Sequence, residues 1–68
     1  MPLVQVTLLE GRSPERKERL IAELTDAVVR AVESPRENVR VVLYEVPDAD
    51  WGTGGVSKRR QAEQEAGR

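Results

Sequence analysis

The sequence predicts an α/β chain built on a βαβ unit. It has two parallel strands, one long helix and a C-terminal hairpin-like loop, with the sheet completed by oligomerisation. Three observations predict it. Residues 3–9 and 39–46 are rich in Val and Leu and alternate with the period of a strand. The stretch between them carries apolar residues at helical spacing. The whole chain is 68 residues and 7.6 kDa, enough for one small domain. The expected division is a βαβ domain over residues 1–56 and a polar tail over residues 57–68.

In the first strand, Val4, Val6 and Leu8 share one face, and Leu3, Gln5, Thr7 and Leu9 share the other. The second face is mixed, so one side of this strand is expected to be dry and the other to lie at an interface or site. Glu10-Gly11-Arg12 leave the strand. Ser13 then reads as an N-cap, Pro14 as the first helical residue and Glu15 as the acidic residue of the first turn. From Pro14 to about Glu33, Leu20, Ile21, Leu24, Ala27, Val28, Ala31 and Val32 form one continuous stripe. Some twenty residues span about 30 Å, enough to return over a seven-residue strand of about 23 Å. Ser34-Pro35 ends the helix, because the residue before a proline avoids the helical region.

In the second strand Val39, Val41, Leu43 and Glu45 alternate with Arg40, Val42, Tyr44 and Val46. Strand, long helix, strand implies parallel pairing with a right-handed crossover. Residues 47–55 read as a turn-rich loop with one aromatic, Trp51, and glycines that let the chain hairpin. From Val56 onward the composition is polar, with the basic run Lys58-Arg59-Arg60, and a frayed tail is expected.

Composition narrows the chemistry. There are 11 basic and 12 acidic side chains, a net charge of −1, so no nucleic-acid or acidic-membrane partner is expected. There is no Cys, hence no disulfide and no thiolate nucleophile or ligand, and no His, hence no imidazole base and no common zinc site. No apolar run approaches the roughly 18 residues of a membrane span, no signal-peptide pattern opens the chain, and the expected location is the cytoplasm. Acid–base chemistry near neutral pH falls to a perturbed carboxylate, Lys, Tyr or the chain's own α-amine.

Size points to association. Ordering about 55 residues costs roughly 80 kcal/mol, which requires some 3,300 Å² of apolar burial. An ideal monomer of this mass buries about 6,700 Å² in all, about half of it apolar. The two sides cancel, which leaves contact between subunits as the remaining stabiliser.

Four positions stand out as chemistry. Aminopeptidases remove Met before Pro, so Pro2 is expected to begin the mature chain as a secondary amine on a rigid ring. Its plain alternative is a strand-opening residue that lacks a ladder donor. Arg12 lies just past the end of the first strand, where α/β units place functional groups. Arg40 interrupts an apolar strand, which puts it against solvent, an interface or a ligand. For both arginines the plain alternative is pairing with surface carboxylates such as Glu10 or Glu37. Trp51 sits in a loop, off any periodic face, as a plug at a subunit contact or a wall of a pocket.

Taken together, Pro2 after Met, Leu8-Leu9-Glu10-Gly11-Arg12-Ser13, the long amphipathic helix, Asn38-Val39-Arg40-Val41 and Trp51-Gly52-Thr53-Gly54-Gly55 closely resemble the 4-oxalocrotonate tautomerase family. The resemblance covers about residues 2–58. It implies an isomerase of aromatic-compound degradation, a homohexamer arranged as a trimer of dimers, and sites assembled from neighbouring chains. It also implies catalysis with no cofactor and no metal, on a small unsaturated 2-oxo or 2-hydroxy acid similar to 2-hydroxymuconate. By that resemblance Pro2 is the general base. Arg12 holds a substrate carboxylate, and Arg40 binds the other carboxylate end and stabilises charge as the dienol or dienolate forms. Leu9 supplies backbone and apolar surface near the base. Trp51 takes the place of the family's pocket-wall aromatic, commonly Phe, and its bulk bears on pocket size.

Two other readings remain open in the residues. A hydratase or dehalogenase of small unsaturated acids would keep Pro2 protonated and need a carboxylate to activate water. Thr53 stands where that carboxylate is wanted, and Asp48 and Asp50 look like turn residues. A non-enzymatic assembly module would use Lys58-Arg59-Arg60 to bind an acidic partner.

Overall fold

The computed structural model describes residues 1–67. Strand β1 (Leu3–Leu9) leads into helix α1 (Pro14–Val32), which returns the chain to strand β2 (Arg40–Val46). The two strands are parallel, in the register Leu3↔Arg40 through Leu9↔Val46. Val4, Val6 and Leu8 of β1 and Val41 and Leu43 of β2 are half-buried, whereas Leu3, Gln5, Thr7, Arg40, Val42 and Tyr44 are exposed. The sheet therefore has one face turned to the helix and one left bare. Lys17 of α1 meets Glu45 of β2 at 2.8 Å, pinning the start of the helix to the far end of the sheet.

The helix begins as its sequence requires: the Ser13 hydroxyl accepts from the Arg16 N–H at 3.2 Å, and Pro14 takes the first position. It ends one residue before the expected boundary. Glu33 adopts a left-handed conformation, φ 55°, and its N–H donates to Val29 O at 3.0 Å. Pro35 then opens a short 3₁₀ turn, Arg36–Asn38, tied to α1 by an Arg36–Asp26 ion pair. The second strand starts at Arg40 rather than Val39, because the Val39 N–H closes that turn on Arg36 O.

After β2 a 3₁₀ turn (Asp48–Asp50) carries the chain to Trp51 and an antiparallel hairpin, β3 (Gly52–Thr53) and β4 (Val56–Ser57). Gly54 and Gly55 both take positive φ, 60° and 85°, the two-residue turn whose twist suits paired strands. The expected frayed tail is corrected here. Lys58–Ala66 form a second helix, α2, because Ser57 caps it through the Arg60 N–H at 3.1 Å. Straight-chain residues and alanine fill its body. The boundary expected between residues 56 and 57 thus falls inside β4.

No side chain among the described residues is fully buried. The accessible surface is 5378 Å², against about 4,300 Å² for an ideal monomer of this mass. The radius of gyration is 16.1 Å, against about 11 Å for 68 residues. One thin layer of helix on two strands cannot enclose a core.

Candidate active site

The parallel register sorts the candidate residues into two groups. Pro2 immediately precedes β1, and its carbonyl accepts the Arg40 N–H at 3.0 Å, so Pro2 and Arg40 start the two strands side by side. Leu9 closes β1 at the other end, where the Glu10 N–H continues the ladder to Val46 O at 2.9 Å. Arg12 stays at that end: its Nη1 donates to Leu9 O at 2.9 Å. Trp51 follows β2 on the same side, five residues beyond Val46, half-buried and held through its carbonyl by the Lys58 N–H at 2.7 Å. Seven residues of strand separate the groups by about 23 Å.

Both arginines are exposed, and among the described residues neither forms an ion pair. The pairing with Glu10 or Glu37 allowed by the sequence does not occur. Arg40 Nη1 donates instead to the carbonyl of Glu37, at 2.7 Å, with a longer contact to Val39 O at 3.5 Å. Each guanidinium is thus oriented by backbone carbonyls through one nitrogen. The rest of its planar fork is left to meet an anion. That arrangement suits carboxylate recognition, since the charge is neither neutralised nor sequestered.

A shallow, open depression of about 450 Å³ forms at the start of α2, lined by Ser57, Arg59, Arg60, Glu63 and Gln64. It contains none of the candidate residues. Among the described residues no three His, Cys, Asp or Glu side chains gather as metal ligands would. No helix in the described residues is long and apolar enough to cross a membrane.

Two features lay outside the sequence reading. The left-handed Glu33 carried no signal, since a glycine or asparagine would have been expected there. The contact of Gln5 Nε2 with the Tyr44 hydroxyl at 3.2 Å, on the bare face of the sheet, was readable only in part. Alternation puts each residue on that face, but the diagonal between them needs the register.

The fold and its residues have close counterparts. The family model of the tautomerase enzymes matches residues 2–61. A probable tautomerase of Ralstonia nicotianae is 57% identical over 58 residues, 85% of this chain and 83% of the relative. The 2-hydroxymuconate tautomerase of Comamonas testosteroni is 48% identical over 59 residues, 87% of this chain and 94% of the relative. Among solved structures, TomN, a 4-oxalocrotonate tautomerase homologue in the tomaymycin biosynthetic pathway, superposes with a TM-score of 0.89 at 42% identity. That match covers 91% of this chain and 95% of TomN. A heterohexameric 4-oxalocrotonate tautomerase from Chloroflexus aurantiacus gives a TM-score of 0.84 at 41% identity, covering 87% and 95%.

Proposed function

The chain belongs to the tautomerase family, and from that premise we propose that it isomerises a small unsaturated 2-oxo or 2-hydroxy acid similar to 2-hydroxymuconate, with Pro2 as the base. The observation that carries this reading is the placement of Arg12 and Arg40. Among the described residues both guanidiniums are free of ion pairs, backbone-oriented and suited to carboxylates, at opposite ends of one sheet. A single chain cannot bring Pro2, Leu9, Arg12 and Trp51 to one small acid. The site is therefore shared between copies of the chain in a homo-oligomer, and the expected form is a hexamer. Cytoplasmic location and a role in aromatic-compound degradation are part of the same proposal.

The chemistry follows from charge. With Met1 removed, Pro2 offers a secondary amine whose conformation the ring restricts. It works as a base near neutrality only where its ammonium form is destabilised. The guanidiniums of Arg12 and Arg40 and the indole of Trp51 do this by repulsion and desolvation. The neutral nitrogen takes a proton from one position of the acid and returns it at another, while the conjugated π electrons shift across the carbon chain. The intermediate is a dienol or dienolate. The charge on its oxygens is met by Arg40, while Arg12 holds the remote carboxylate in place. Trp51 walls the pocket and Leu9 lines it.

The test is ketonisation of 2-hydroxymuconate by the processed protein and by its Pro2→Ala variant. The substitution is expected to lower kcat/KM by about 10²–10⁴ with the oligomer intact. Equal rates in the two proteins would remove Pro2 from the reaction.

A further inference from the structure

The two arginines of the site are aimed by carbonyls of different standing. Arg12 leans on Leu9 O, which belongs to the last residue of β1, a strand fixed along its length by pairing with β2. Arg40 Nη1 leans on Glu37 O at 2.7 Å, and Glu37 is the middle residue of the 3₁₀ turn Arg36–Asn38. That turn closes on itself through Asn38 N–H to Pro35 O at 3.0 Å and Val39 N–H to Arg36 O at 3.2 Å. A single 3₁₀ turn has poorer hydrogen-bond geometry than regular secondary structure, so its carbonyls need outside support. Arg36 supplies it. Its Nη1 donates to Asp26 Oδ1 on α1, and among the described residues this is the only side-chain hydrogen bond between the turn and the helix.

We propose that the Asp26–Arg36 ion pair is a positioning clamp for Arg40, acting through the turn that carries the Glu37 carbonyl. The contacts run without a break. Asp26 fixes Arg36, Arg36 opens the turn, the turn sets Glu37 O, and Glu37 O orients the guanidinium. Asp26 and Arg36 are therefore positioning residues, and their effect on the reaction passes through Arg40. The inference rests on the reading of Arg40 as a substrate-binding group, but the aim of its guanidinium is measurable without substrate.

In that reading Arg40 meets charge that develops as the acid reacts, so its aim bears on kcat rather than on binding. Rate is sensitive to small errors in the placement of such a group. The ion pair is exposed, the Arg36 side chain 58% and the Asp26 side chain 42%, and water competes for both. The expected effect is accordingly modest, about two- to fivefold. Arg12 takes no part, because the carbonyl that aims it is fixed by the sheet. The clamp thus separates the two arginines: loosening it disturbs one and spares the other.

Asp26→Ala removes the acceptor at a helical position that alanine suits, so the fold is kept. In the assembled protein, with its arginines labelled with nitrogen-15, follow rotation about the Nε–Cζ bond of Arg40 by NMR. Asp26→Ala is expected to speed that rotation about two- to fivefold and to leave Arg12 unchanged. The exchanged pair Asp26→Arg/Arg36→Asp is expected to restore the slow rate. Equal rates at Arg40 in wild type and Asp26→Ala would overturn the proposal, as would equal acceleration at both arginines. In ketonisation of 2-hydroxymuconate, Asp26→Ala is expected to lower kcat by a similar factor with KM unchanged, and to have no further effect in an Arg40→Ala background. A loss of equal size in that background would mark a general structural role and overturn the proposal. Failure of the Pro2 reading is seen separately, as equal turnover by wild type and Pro2→Ala, and the NMR comparison then decides the clamp by itself.

Discussion

Arg12 and Arg40 are held differently from the ion-paired Arg36. Each is aimed by a main-chain carbonyl, at 2.9 Å from Leu9 and 2.7 Å from Glu37, rather than by a carboxylate. A lysine at either position keeps the charge but loses the planar fork. Arg12→Lys is therefore expected to raise KM for a diacid with little change in kcat, and Arg40→Lys to lower kcat. Each loss is about 10–100-fold in kcat/KM, as steady-state kinetics on 2-hydroxymuconate would read. A mono-acid lacking the remote carboxylate should be insensitive to Arg12→Lys. At Trp51 the change of residue bears on shape. Trp51→Phe should retain ketonisation and favour bulkier acids, measured as a ratio of kcat/KM between two substrates.

At the scale of elements, the sequence was legible wherever periodicity and capping chemistry agreed. The first strand matches its expected bounds, and Ser13-Pro14 starts α1 where the motif says it must. The alternation of Val4, Val6 and Leu8 names the helix-covered face. What escaped was decided by single backbone contacts. Composition puts Val39 in the strand, yet its N–H is spent on Arg36 O. The polar composition of the last segment predicts a frayed end, although Ser57 before three long side chains is itself a cap signal. Two stability measurements follow. Ser57→Ala is expected to cost about 1 kcal/mol of α2 and to lower helicity by circular dichroism, with β1–β2 unaffected. The basic residues in the first turn of α2 oppose its dipole, so the cap matters more there than at α1. Conversely, Glu33→Gly is expected to stabilise the protein by about 0.5–1 kcal/mol in urea unfolding, since the left-handed conformation strains a residue with a Cβ.

For the whole molecule, the governing fact is a layer too thin to bury anything. A helix on two strands has no fully enclosed side chain among the described residues, and its extents are 51 × 24 × 15 Å. The sequence anticipated this through size alone, and it named the candidate residues by their types and motifs. Periodicity within one chain does not say which of them meet, and in the proposed shared site that depends on further copies. Stability and activity should then be properties of the assembly. The thermal midpoint is expected to rise with protein concentration, which differential scanning calorimetry at two concentrations would detect. The most direct test of the shared site is complementation. Unfold Pro2→Ala and Arg12→Ala proteins, mix them in equal amounts, refold them together and assay ketonisation. If each site takes its proline and this arginine from different copies, about a quarter of the sites in random hybrids regain both groups, and activity rises far above either parent. Hybrid oligomers, verified by native mass spectrometry, that remain as inactive as the parents would contradict it.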